Sequence, residues 1–237
     1  MSLIPLLRLP VAALPILFFL VLSGCTHNRV DLSPYTPQGA IPGASAMQRP
    51  FVVAPLADHR FRFFEYAPTG MVDTVGWGEG TGTLYTPQNI PNHVTTALVT
   101  QFRSYGMSVS YDPNVRCRIG GTRAHPVVKV TGTVRGLVLC GSILDYQFEL
   151  DHPRVIFGFI STLDMAAGAS LSAQASLHLF LVRARSGRIL WEGVESSSRE
   201  KGGIHPPHLK RQAVAYLDKT LSRVLAKTAR AMSGATE

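Results

Sequence analysis

Hydrophobic positions along the chain change period several times, and each change marks an element. Val94, Leu98, Phe102 and Tyr105 recur at i, i+4, i+8 and i+11, the spacing of one helical face. Asn89 stands at a capping position, Pro91 suits a first turn, and Gly106 supplies a left-handed stop, so a helix is predicted between them. From Val127 the period falls to two. Val128, Val130, Val134 and Val138 share one face while Lys129, Thr131, Thr133 and Arg135 share the other, which predicts one long half-buried strand. A second run turns Leu144, Tyr146, Phe148 and Leu150 inward, and a third Leu171, Ala173, Ala175, Leu177, Leu179 and Leu181. The Ser186-Gly187 turn leads into a fourth strand, "RILWEGVESS". After "HPPHLKRQ" the helical period returns, with Ala213, Leu217, Leu221, Val224 and Leu225 on one face of a helix running to about Met232. Thr228 lies on the same side, where its hydroxyl can donate to the Val224 carbonyl.

Shorter signals fill the gaps. "FVVA" from Phe51 is a brief strand ended by Pro55, and "MSVSY" is another after Gly106. Between Pro68 and Pro91 glycines fall at 76, 78, 80 and 82, which predicts a loop or a loosely paired edge hairpin. A phosphate cradle there would need the P-loop pattern and its lysine, and neither is present. Long strands with one polar face imply antiparallel pairing with helices on one side. The expected fold is therefore α+β: a mostly antiparallel β-sheet with two main helices packed on one face.

Composition changes the picture at the N-terminus. The chain of 237 residues is 46% hydrophobic with a formal net charge of +8, which excludes a disordered or collagen-like protein. The apolar surplus is concentrated, because residues 1–24 hold 17 apolar residues and one charge, Arg8. That is the layout of a secretory signal peptide, too short in its apolar run to span a bilayer comfortably. The junction Leu22-Ser23-Gly24-Cys25 resembles the bacterial lipobox, cleaved before a cysteine that already carries diacylglycerol. The resemblance implies an acylated Cys25 as the mature N-terminus, and several acyl chains anchor stably where one binds marginally. Thr26 follows, not the aspartate that marks inner-membrane retention, so the expected location is the periplasmic face of an outer membrane. Residues 25–50 contain Pro34, Pro37, Pro42 and Pro50 and no apolar period, and they read as a tether that lets the domain stand clear of the headgroups. A single periplasmic domain is expected over 51–237.

Chemistry-bearing patterns are sparse. No G-x-S-x-G, H-E-x-x-H or C-x-x-C occurs, so no catalytic residue, metal site or cofactor is expected beyond the lipid on Cys25. Asp58, His59 and Glu79 would matter only if a cleft collected them. Cys117 and Cys140 would meet an oxidising compartment after export. They can form a disulfide only if the loop folds back or Gly132 and Gly136 bend the strand; otherwise Cys140 is a buried thiol. Lys219, Arg223, Lys227 and Arg230 form one basic stripe on the last helix, either a solvated face or a contact for anionic headgroups or the cell-wall polymer. Ile156, Phe157, Phe159 and Ile160 belong to an apolar run without alternation, either a buried strand or an exposed docking patch.

The order of elements resembles small envelope lipoproteins of the YajG-like kind. Asp58 and Arg60 follow a first strand, "LVTQFRSYGMSV" closes a helix, "VVKVTGTVRGLVL" and "SGRILWEG" are sheet arms, and a helix ends the chain. The likeness covers about residues 51–230 and departs from the pattern in an insertion from His152 to Ala169 and in "RIGGTRAHP". It implies a membrane-anchored, non-enzymatic accessory or scaffold module with an envelope protein partner. Alternatives are an auxiliary lipoprotein of a lipid-transport system and a cell-wall or lipid-active hydrolase. Nucleic acid is not an expected partner of an exported lipoprotein.

Overall fold

The computed structural model describes residues 29–38, 49–60, 73–78, 82–122, 125–151, 169–204 and 209–234. Its strands are β1 (Phe51–Val53), β2 (Ala57–Asp58), β3 (Asp73–Gly78), β4 (Gly82–Thr86), β5 (Val109–Tyr111), β6 (Arg116–Thr122), β7 (His125–Thr131), β8 (Leu137–Asp151), β9 (Ala169–Arg183) and β10 (Ile189–Ile204). The helices are α1 (Ile90–Ser104) and α2 (Leu209–Gly234). Signal peptide, lipobox and Cys25 lie outside the described residues, as do Ile156, Phe157, Phe159 and Ile160.

An eight-stranded sheet is built on the path β10-β9-β8-β1-β5. The long alternating runs pair as expected, β8 with β9 and β9 with β10, both antiparallel. The long antiparallel pairs make up most of the sheet, as expected, and the short strands add parallel neighbours that make it mixed. β1 is parallel to both β8 and β5, and β2 and β3 are each parallel to β8. Parallel neighbours need a crossover, and α1 with the β3–β4 hairpin provides the one between β1 and β5. Strands of two or three residues such as β1, β2 and β5 carry no face pattern, so their direction is not readable from the sequence.

Both helices pack into one core cluster with the inward side chains of β8 and β9, as predicted. The Asn89 side chain caps α1 by accepting from the Asn92 N–H at 2.9 Å, and Gly106 takes the left-handed conformation after it. In α2, Thr228 donates to the Val224 carbonyl at 3.0 Å. One detail of β8 differs. A register shift between Ile143 and Asp145 buries Ile143 and leaves Leu144 half-buried.

The predicted strand from Val127 to Cys140 is two strands. Gly132 and Gly136 have φ of 123° and 96°, a region that favours glycine, and the strand breaks there between β7 and β8. The β6–β7 hairpin thereby folds over the sheet face opposite the helices, where Val115, Val128, Val138, Cys140, Phe180 and Val182 form a second cluster. Cys117 and Cys140 are joined there as a disulfide, with Cα atoms 5.8 Å apart. Of the two states left open by the sequence, the bonded one is found, and the bending glycines produce it.

Candidate functional site

Residues 29–38, expected within a free tether, are docked on the domain. Val30 and Leu32 are buried in the helix-side core, and the Val30 N–H donates to the Tyr85 carbonyl on β4 at 2.7 Å. Leu32 N–H donates to Gln88 Oε1 at 3.3 Å. Further on, the Tyr35 hydroxyl donates to Gln101 Oε1, which also accepts from the Gln38 N–H at 3.1 Å. Gln101 Nε2 returns a bond to the Gln38 carbonyl at 3.2 Å. This strap needs only two apolar side chains and one buried glutamine, too few to show as a period.

A cleft of about 550 Å³ opens on each side of the strap. One lies toward α2, lined by residues including Arg29, Pro34, Lys210, Ala215 and Lys219. The other lies toward α1 and is lined by Tyr35, Gln88, His93 and Thr100 among others. Between them sits a buried polar cluster. The Tyr146 hydroxyl donates to Asp218 Oδ1 at 3.0 Å, and His93 Nε2 stands 3.6 Å from the same oxygen with no hydrogen-bond partner among the described residues. Complete burial pushes the Tyr146 hydroxyl well up, and the neighbouring Asp218 charge adds to it.

Burial likewise pushes the Tyr35 hydroxyl up to about 12; a hydrogen bond with Ser222 works against this, and Tyr105 and Asp218 reinforce it. A group whose folded pKa is raised contributes stability that is full below its unfolded value of about 10 and is lost as pH rises through the folded value. Strap and groove should therefore loosen between about pH 10 and 12. In Tyr35→Phe, the slope of unfolding free energy against pH over that window should fall by up to about one proton, as measured by urea unfolding at several pH values. An unchanged slope would place Tyr35 in solvent.

The predicted basic stripe is present. Lys219, Arg223, Lys227 and Arg230 are all exposed on α2. They are not equivalent, because Lys227 Nζ donates to the Ser196 carbonyl of β10 at 2.7 Å. Lys219 instead borders the cleft beside the strap.

No family model matches the sequence, and no curated protein sequence does either. Solved structures to which the chain shows a weak likeness include three of stated origin. A DUF330-family protein from Xanthomonas campestris has a TM-score of 0.48 and 11% identity, covering 87% of this chain and 95% of that one. PelC from Paraburkholderia phytofirmans, a dodecamer, has a TM-score of 0.32 and 14% identity, with 80% and 95% covered. A candidate lipoprotein from Caulobacter crescentus has a TM-score of 0.26 and 18% identity, with 45% and 69% covered. Likenesses at this level assign no family, partner or activity.

Asp58 and Arg60, which follow the first strand, form a buried ion pair. Arg60 is buried and grips Asp58 in a two-point pair, Nε to Oδ1 and Nη2 to Oδ2, each 2.9 Å. Nη2 also donates to Asp73 Oδ2 at 2.8 Å, while Nη1 donates to the carbonyls of Thr74 at 2.9 Å and Tyr146 at 3.4 Å. Burial alone would lower the guanidinium pKa. The bonds and charges of Asp58 and Asp73 more than offset it, so the net shift is upward. The i, i+2 spacing of Asp58 and Arg60 hinted at this pair. Nothing in the local sequence pointed to Asp73, which the β3–β4 hairpin brings in. Asp58 is thus held in an ion pair, His59 is exposed, and Glu79 lies outside the described residues. Among the described residues, no group of three or more His, Cys, Asp and Glu could hold a metal ion, and no helix is long and apolar enough to cross a membrane.

Proposed function

We propose that this protein is a non-enzymatic lipoprotein, anchored through an acylated Cys25 on the periplasmic face of the outer membrane, where its domain serves as an accessory or scaffold module of an envelope assembly. The observation that carries this reading is the Cys117–Cys140 disulfide. Such bonds persist in oxidising compartments, which is where a chain bearing the Leu22–Cys25 lipobox would be delivered. The chemistry of the buried carboxylates supports a binding role over a catalytic one. Asp58 and Asp73 are both ion-paired with Arg60, and Asp218 accepts from Tyr146. Groups so engaged are poorly placed to exchange protons with a substrate.

Cross-linking intact cells and purifying the full-length chain from separated inner and outer membranes tests the proposal. It should float with the outer membrane and bring down a specific envelope protein at fixed stoichiometry. Recovery from the soluble periplasm would contradict the anchor. Turnover of cell-wall or lipid substrates lost on Asp218→Asn, with folding intact, would contradict the non-enzymatic role.

A further inference from the structure

Where the strap begins sets how far the domain can stand from its anchor. Val30 is buried and bonded to Tyr85, so the chain is fixed from Arg29 onward. Cys25 lies four residues before Arg29, and that much extended chain reaches at most about 14 Å. The tether expected to run to Pro50 is thus cut to a short leash.

What the leash would bring to the membrane is cationic. Arg29, Lys210, Arg211 and Lys219 line the cleft between strap and α2, with Asp31 and Asp218 the carboxylates among its lining residues. Asp31 is paired with Arg29 at 3.0 Å, and Asp218 accepts from the Tyr146 hydroxyl. Lys210 Nζ donates to the Arg29 carbonyl at 3.4 Å, tying the strap to the first turn of α2. That turn also carries the positive end of the helix dipole.

We infer that this rim docks the domain onto the anionic phospholipid headgroups of the leaflet that holds its anchor. The inference rests on the acylation of Cys25 proposed above. Phosphates attract lysine and arginine within a Debye length of about 8 Å at physiological salt, and the leash is short enough to let the Arg29 and Lys210 end of the rim come within that range. The domain then has a defined orientation. The first turn of α2 faces the bilayer. The β9–β10 turn lies at the other end of β9, a 15-residue strand that spans about 45–50 Å at roughly 3.3 Å per residue. The lower part of the basic stripe points away from the membrane, since Arg230 is about 16 Å further along α2 than Lys219 at 1.5 Å per residue.

The test uses the full mature lipoprotein carrying one added cysteine, Gln212→Cys near the rim or Arg185→Cys in the far turn, both exposed positions. With Cys25 acylated and Cys117 bonded to Cys140, the added thiol alone takes a fluorophore. Each labelled protein is reconstituted in phosphatidylcholine vesicles, with or without phosphatidylglycerol, containing a lipid with a nitroxide on its headgroup. Quenching at position 212 should exceed that at 185 several-fold in the anionic vesicles. The contrast should shrink when phosphatidylglycerol is omitted, and also in Lys210→Gln/Lys219→Gln. Equal quenching at both positions would overturn the inference, as would a contrast indifferent to phosphatidylglycerol. Mass spectrometry of the same preparation separates the two ideas: an unmodified Cys25 removes the anchor and the inference together, whereas an acylated Cys25 with equal quenching removes the inference alone.

Discussion

Replacing Arg60 with alanine should destabilise the domain by about 3–5 kcal/mol, the range for removing one partner of a buried ion pair. Asp73 is 4% exposed and Asp58 only partly exposed, so neither carboxylate can recover its hydration without distorting the sheet. The loss should also spread. Arg60 bonds the carbonyls of Thr74 on β3 and Tyr146 on β8, and β4, paired to β3, carries the Tyr85 carbonyl that anchors the strap at Val30. Urea unfolding of Arg60→Ala should show a lower midpoint, and hydrogen exchange should show faster exchange of the Val30 amide. Arg60→Lys should recover only part of the loss, because an ammonium cannot reproduce the planar two-point grip on Asp58. A change within about 0.5 kcal/mol, typical of surface sites, would mean that Arg60 is solvated and the strap independent of it.

Removing the disulfide is the second large effect. The bond closes a separation of 23 residues, and the chain-entropy model assigns a loop of that size about 3 kcal/mol. At about 2–4 °C per kcal/mol for a domain of this size, Cys117→Ser or reduction should lower Tm by roughly 6–12 °C. Cys140→Ser should cost more than Cys117→Ser, because Cys140 is fully buried and a hydroxyl there would need a hydrogen-bond partner. The damage should be local to the face covered by the β6–β7 hairpin, leaving the two-helix face packed. Differential scanning calorimetry with and without reductant measures both quantities. Identical melting of oxidised and reduced protein would show that the hairpin is held by its apolar contacts alone.

The elements most legible in the sequence are those whose period and end signals agree. In α1, Val94, Leu98 and Phe102 are buried between the Asn89 cap and Gly106. β9 buries Leu171 through Leu181 at every second position because both neighbours are antiparallel and one face meets the helices. Alternation failed where it could not register a break. Val130 and Val134 keep the same parity across the Gly132–Gly136 turn, so two strands read as one, and the disulfide geometry followed from that turn. The parallel pairings of β1 were hidden for a different reason: its partners Val109 and Leu137 are distant in sequence, and three residues hold no directional code. The strap escaped because its four-proline context outweighed Val30 and Leu32. At Arg60, a charged turn reads as solvated until the hairpin supplies Asp73. Of the candidate sites, the basic stripe was visible in full, yet the cleft that Lys219 shares with Arg29 and Lys210 depends on the docked strap.

The proposed anchor and the membrane orientation both depend on the covalent state of Cys25. Intact-mass and N-terminal peptide mass spectrometry of the mature chain extracted from outer membranes should find residue 25 first, its sulfur carrying diacylglycerol. A chain that begins elsewhere, or a Cys25 with a free thiol, would contradict the lipoprotein reading and the membrane orientation built on it.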